Sequence, residues 1–101
     1  MIPAKLKLEG MVYRVIQISN EQINTLKREE EIGDICGFTE FEDNNIYLNS
    51  KYGKESQHQT LLHELIHISD SRMNPLTEEQ IDNLARRLFA IIRDNPKLFT
   101  I

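Results

Sequence analysis

The first third of the chain alternates apolar and polar residues, which is the pattern of a half-buried strand. The alternation runs over residues 4–8, stops at Gly10 and resumes over residues 12–18. This predicts two strands joined by a tight turn. A helix over about residues 21–31 is expected next, closed by Gly33.

A second hairpin is predicted in the middle of the chain. Residues 34–41 alternate imperfectly, Asp43-Asn44-Asn45 has strong turn chemistry, and residues 46–49 form a short apolar segment. The strand over residues 46–49 can complete a small sheet or present an exposed edge. Such an edge could hold an extended peptide through backbone hydrogen bonds. The pattern leaves both alternatives open.

Two amphipathic helices are predicted in the last part of the chain. Each begins with a capping-box sequence, Ser56-Gln57-His58-Gln59 for a helix over residues 57–71 and Thr77-Glu78-Glu79-Gln80 for a helix reaching about Arg93. The short connection makes the two helices antiparallel neighbours. The end of the first helix should therefore lie near the beginning of the second.

These elements predict an α+β fold in which a small mixed sheet of two hairpins accompanies a helix pair. The 101 residues are expected to form one domain, residues 1–101, with its own hydrophobic core. No segment approaches the roughly 20 apolar residues needed to span a bilayer. We therefore expect no membrane association.

Net charge and cysteine content indicate which class of ligand and which cellular compartment to expect. The net charge of −4 and the isoelectric point near 5.3 argue against nucleic acid as a direct ligand, because phosphate binding needs a basic surface. Cys36 is the single cysteine, so an internal disulfide is excluded. A reducing cytoplasm is the expected location.

The first of the two C-terminal helices contains the motif His63-Glu64-Leu65-Ile66-His67. Residues four apart lie on one face of a helix, so His63 and His67 present two imidazoles to one point. This arrangement suits Zn²⁺, which binds imidazole nitrogen in a tetrahedral shell. Glu64 lies beside that point and is a candidate general base acting on water.

A third zinc ligand is available from the second helix, and several acidic residues compete for the role. Helical geometry places Glu78 about 70°, Asp82 about 110° and Glu79 about 170° from the centre of the apolar stripe. Glu78 is therefore the predicted ligand, with Asp82 as the alternative and Glu79 facing solvent. Asp70 shares the histidine face but is too short and too close to His67 to complete a tetrahedron. Its predicted role is to orient a ligand histidine.

The motif, the preceding Gln59-Thr60-Leu61-Leu62 and the following Leu88-Phe89-Ala90 resemble the ImmA/IrrE family of zinc metallopeptidases, especially compact members from phages and mobile elements. The resemblance covers roughly residues 44–96, and Asp82-Asn83-Leu84-Ala85-Arg86 is the nearest match to the family's Glu-x-x-Ala-Asn segment. It implies a gluzincin-like site with two histidines and an acidic ligand, and Glu64 as base. It also implies a protein substrate, in some members a helix-turn-helix repressor of a mobile element. We expect no appended helix-turn-helix or sensor domain.

Two functions from different classes follow from the sequence. The first is a cytoplasmic zinc endopeptidase that hydrolyses a peptide bond in a protein substrate. The second is a catalytically silent zinc-binding module that binds a host or phage protein. A purely structural zinc domain is less favoured, because closed structural sites usually carry cysteine ligands and need no adjacent glutamate.

Overall fold

The computed structural model describes residues 2–27, 35–70 and 74–98. These residues form an α+β fold with a four-stranded mixed sheet and three helices, as the sequence pattern predicts. In chain order the elements are β1 (Lys5–Leu8), β2 (Met11–Ile18), α1 (Asn20–Lys27), β3 (Gly37–Glu40), β4 (Asn45–Asn49), α2 (Lys54–Ser69) and α3 (Glu78–Asp94).

The sheet has the strand order β1-β2-β4-β3. Both hairpins are antiparallel, and the parallel pairing of β2 with β4 joins them into one sheet. The first hairpin turns through Glu9 and Gly10, whose φ angles of 50° and 84° suit the tight two-residue turn that matches strand twist. The strand over residues 46–49 was a candidate for an exposed edge, but β4 is an inner strand with neighbours on both sides. The edge of this half of the sheet is β3.

The hydrophobic core lies between the sheet and α2. Alternate residues of the inner strands point into it, and one face of α2 covers them. Its fully or largely buried members are Tyr13, Val15, Ile46, Leu48 and Leu61. Leu65 and Ile68, one and two turns beyond Leu61, pack against this cluster. Because this face of α2 is buried, the opposite, polar stripe faces away from the sheet. The motif histidines lie on that stripe.

The helix boundaries depart from the prediction at the start of α2. This helix begins at Lys54 with Gly53 as its N-cap and has no side-chain cap, so the predicted capping box at Ser56 is wrong. The Gln57 side chain is instead buried, donating to the carbonyl oxygen of Tyr52 and accepting from Gln17. This anchor to the sheet holds residues 54–57 in helical conformation, one turn before the predicted start.

The start of α3 agrees with the prediction. Thr77 and Gln80 form a capping box, with Thr77 Oγ1 accepting from the Gln80 amide and Gln80 Oε1 accepting from the Thr77 amide. α3 packs antiparallel on α2, with Ile81 and Ala85 buried between them. The predicted extension of α1 over residues 28–31, Gly33 and residue 34 lie outside the described residues. So do residues 71–73 of the connection between α2 and α3.

None of the helices in the described ranges is long and apolar enough to cross a membrane.

Candidate metal centre

The two motif histidines meet on the polar stripe of α2. Their Nε2 atoms are 3.2 Å apart, as expected for imidazoles one helical turn apart that turn toward a common point. The His63 side chain is 18% exposed and the His67 side chain 30% exposed. Both rings are therefore partly shielded but open to solvent on the side where they converge.

Glu78 completes the cluster from the first turn of α3. One carboxylate oxygen lies 2.7 Å from Nε2 of His63, and the other lies 3.0 Å from Nε2 of His67. The capping box at Thr77 fixes the start of α3, and this sets the position of Glu78. The pKa of Glu78 is raised by partial burial, but the hydrogen bonds and charges of His67 and His63 together outweigh that effect and lower it below its ordinary value.

The separations among these three side chains fit a zinc ion. Tetrahedral zinc with bonds of 2.0 to 2.2 Å holds its ligand atoms about 3.3 to 3.5 Å from one another. The 3.2 Å between the two imidazole nitrogens is close to that value. The Glu78 oxygens are somewhat nearer, and its side chain is 71% exposed and therefore free to adjust. Among the described residues, His63, His67 and Glu78 are the group of side chains that could hold a metal ion.

Asp82 approaches His63 from the other side of the ring. Its Oδ1 atom lies 3.6 Å from Nδ1 of His63, whereas the cluster with His67 uses Nε2. Asp82 also forms an ion pair with Arg86, one turn along α3. A carboxylate in this place can fix which ring nitrogen of His63 carries the proton, leaving Nε2 available to a metal. Glu79, which the helical geometry placed toward solvent, is exposed.

Asp70 lies at the end of α2, as its C-cap residue. Its carboxylate accepts a 2.8 Å hydrogen bond from the backbone amide of Leu76, two residues before α3. This bond spans the connection between the helices and helps to set the distance between His67 and Glu78. The proposed role of Asp70 in orienting a ligand histidine stays a prediction.

Glu64 points to the sheet side of the cluster and is only 8% exposed. Its Oε1 atom accepts a 2.7 Å hydrogen bond from the hydroxyl of Thr39 on β3. The motif predicts Glu64, but Thr39 was missed by sequence reasoning. Its position depends on β3 lying beside α2, which no local pattern reveals.

A groove runs between the edge strand β3 and α2. One part has a volume of about 220 Å³ and the other about 550 Å³, and Gly37, His63 and Glu64 line both. His63 and Glu64 therefore lie where the two parts of the groove meet, and His67 and Glu78 line the larger part. An extended chain lying in the groove would pass both the imidazoles and the buried carboxylate.

Comparison with known proteins gives no match to a protein-family model, a curated protein or a solved structure. The resemblance to the ImmA/IrrE metallopeptidases therefore stays a prediction from the motif and its surroundings.

Proposed function

We propose that this protein is a zinc-dependent endopeptidase with a zincin-type helix pair, in which His63, His67 and Glu78 hold the metal and Glu64 is the general base. One observation carries the proposal. The three potential ligand atoms lie within 4.8 Å of one another, their residues line one part of a groove, and the buried carboxylate of Glu64 lines the same part. A purely structural metal site has no need of either feature.

The chemistry assigned to zinc is that of a Lewis acid, which polarises a carbonyl group and lowers the pKa of a water molecule. Glu64 accepts a proton from the attacking water and delivers it to the leaving amine of the scissile peptide bond. Thr39 donates a hydrogen bond to one oxygen of that carboxylate, which leaves the other oxygen to accept the proton. One oxygen of Glu64 thereby accepts the hydrogen bond from Thr39, and the other oxygen serves in proton transfer.

The free edge of β3 supports binding of an extended peptide. One side of β3 pairs with β4, which leaves the backbone groups of its other side without a strand partner in the described sheet. An extended substrate can add to such an edge through main-chain hydrogen bonds, independently of its side chains. The same strand carries Thr39, so β3 would hold both the bound peptide and the carboxylate of Glu64.

The proposed substrate is a cytoplasmic protein, and a transcriptional repressor of a mobile element is the specific candidate that the family resemblance suggests. The alternative is a silent zinc-binding module that uses the same groove to hold a partner without cleaving it. The two functions differ in their dependence on Glu64. The endopeptidase requires Glu64 for hydrolysis after zinc has bound, whereas the silent module does not require it for binding its partner.

The test uses purified zinc-loaded protein and two substrates. One is a helix-turn-helix repressor of a mobile element, and the other is a denatured, alkylated protein that offers many extended segments. We expect discrete products with the wild type, and none after chelation or with Glu64→Gln. Intact substrates in the presence of fully zinc-loaded wild type, together with stable binding of the repressor, would contradict the peptidase and favour the silent module.

A further inference from the structure

The two parts of the groove differ in chemistry as well as in size. Both parts meet at Gly37 and His63, so a peptide crossing the centre would place its side chains in one part before the scissile bond and in the other part after it. The lining of each part therefore determines which residues are accepted on each side of that bond. Nothing in the motif itself makes this distinction.

The smaller part, of about 220 Å³, is lined mainly by small and polar residues. Ser56, Gln59 and Thr60 are contributed by successive positions on the first two turns of α2, and Cys36 precedes β3. Thr60 approaches closely enough that a Cβ atom at Gly37 would lie 2.8 Å from its methyl group. This part offers hydroxyl and amide groups, and none of the described residues that line it has a large apolar side chain.

The larger part, of about 550 Å³, has an aromatic rim. Phe38 and Phe41 line it, opposite His67 and Glu78. The Phe38 ring is held by stacking on Tyr47, with 4.9 Å between the ring centroids. Phe41 follows β3 directly and is 59% exposed, the largest exposed fraction among the large apolar side chains of the described residues.

We propose that the peptidase selects substrates with a large apolar residue on the Phe41 side of the scissile bond. This inference rests on the proposed endopeptidase function. Covering the exposed Phe41 ring with an apolar side chain removes water from both surfaces, which favours binding. Phe41 is thereby a specificity-determining residue that the motif does not contain.

The test is cleavage of a library of peptides derived from a whole proteome, with the cleavage sites identified by mass spectrometry. Wild type, Phe41→Ser and Leu26→Ser are compared at equal zinc content. Leu26 is a matched control because it is an apolar residue of similar exposure, 53%, on α1 outside the groove. We expect wild type to favour Leu, Ile, Phe and Met on one side of the cleaved bond.

A pair of synthetic peptides then assigns the preference to Phe41. One peptide carries the favoured apolar residue and the other has alanine in its place. For wild type and Leu26→Ser, kcat/KM should be about tenfold or more higher for the apolar peptide, the size of effect that a few methylene groups produce in an apolar subsite. For Phe41→Ser this ratio should fall several-fold.

The outcomes separate the two proposals. Cleavage that depends on zinc and Glu64 but shows no apolar preference on either side overturns the specificity inference and leaves the endopeptidase in place. An apolar preference that is unchanged in Phe41→Ser also overturns it. An absence of zinc-dependent cleavage across the whole library overturns the endopeptidase, and the specificity inference with it.

Discussion

The hydroxyl of Thr39 donates a 2.7 Å hydrogen bond to Oε1 of Glu64, joining the edge strand to the candidate base on α2. The contact spans 25 residues of sequence and depends on the register of two separate elements. It couples the position of the carboxylate to that of the strand on which a peptide would lie. Substitutions can test both this hydrogen bond and the neighbouring cluster of His63, His67 and Glu78.

Thr39→Val tests the hydrogen bond between Thr39 and Glu64. Valine preserves the shape of threonine but removes the hydroxyl, so the buried Glu64 carboxylate loses a donor that is worth about 1.5 to 3 kcal/mol for a charged acceptor. We expect kcat to fall about 10-fold to 100-fold with zinc content unchanged. Thr39→Ser, which keeps a hydroxyl, should recover most of the loss. If Thr39→Val were as active as wild type, the bond would have no role in positioning Glu64.

Gly37→Ala tests how closely β3 must approach α2. A Cβ atom at this position would lie 2.6 Å from the carbonyl oxygen of Tyr47 and 2.8 Å from Cγ2 of Thr60, so the strand must shift. We expect a loss of about 1 to 3 kcal/mol in the free energy of unfolding, and a lower kcat/KM with zinc retained.

The matched control for that substitution is Gly53→Ala, because a Cβ atom there meets nothing within 4 Å. Chemical denaturation of both variants in chelator measures the stability difference free of metal binding. Equal stability and activity of Gly37→Ala and Gly53→Ala would show that β3 and α2 are not held at the distance described.

Zinc should stabilise the fold through the two motif histidines. A ligand that binds only the folded state adds about 2.7 kcal/mol to its stability at 100 times its Kd. We expect wild type to melt at a higher temperature with zinc in excess than with chelator, and His63→Ala and His67→Ala to show no such difference. His58→Ala is the control, since His58 lies near the start of α2 and bonds to the carbonyl oxygen of Lys54. A zinc-dependent rise in the melting temperature of His67→Ala would contradict the assignment.

The third ligand is tested by comparing three acidic residues of α3. Glu78→Gln should lose most of its zinc affinity, because the carboxylate contacts Nε2 of both histidines. Asp82→Asn should weaken binding by about 10-fold to 100-fold, the usual effect of a group that only orients a ligand. Glu79→Gln should bind as wild type. Competition against a fluorescent chelator measures all three, and wild-type affinity in Glu78→Gln with loss in Asp82→Asn would move the ligand to Asp82.

The local pattern was sufficient to predict most of the helices and strands and the proximity of His63, His67 and Glu78. His63 and His67 come together because helical spacing alone brings them together, and Glu78 could be chosen because its angle on α3 is set by the apolar stripe. The capping box at Thr77 could also be predicted from neighbouring residues alone. These features involve residues within one turn of a helix, or two helices joined by a short connection.

The remaining features depend on long-range pairing, which sequence patterns do not encode directly. The parallel pairing of β2 with β4 places β4 inside the sheet and makes β3 the edge. That strand order alone brings Thr39 to Glu64 and Phe41 to the groove. The start of α2 was placed too late for a similar reason, because Gln57 is held by Gln17, 40 residues earlier, rather than by a local cap.

The most direct test of the account is the rate of peptide-bond hydrolysis by wild type and Glu64→Gln, with the zinc content of both samples measured by elemental analysis. Glutamine has nearly the same shape as glutamate but cannot accept the proton from water. We predict about one zinc per chain in each protein, lost from both on chelation, and a rate for Glu64→Gln lower by about 10²-fold to 10⁴-fold. Equal rates at equal zinc content, or hydrolysis that survives complete removal of zinc, would contradict the account.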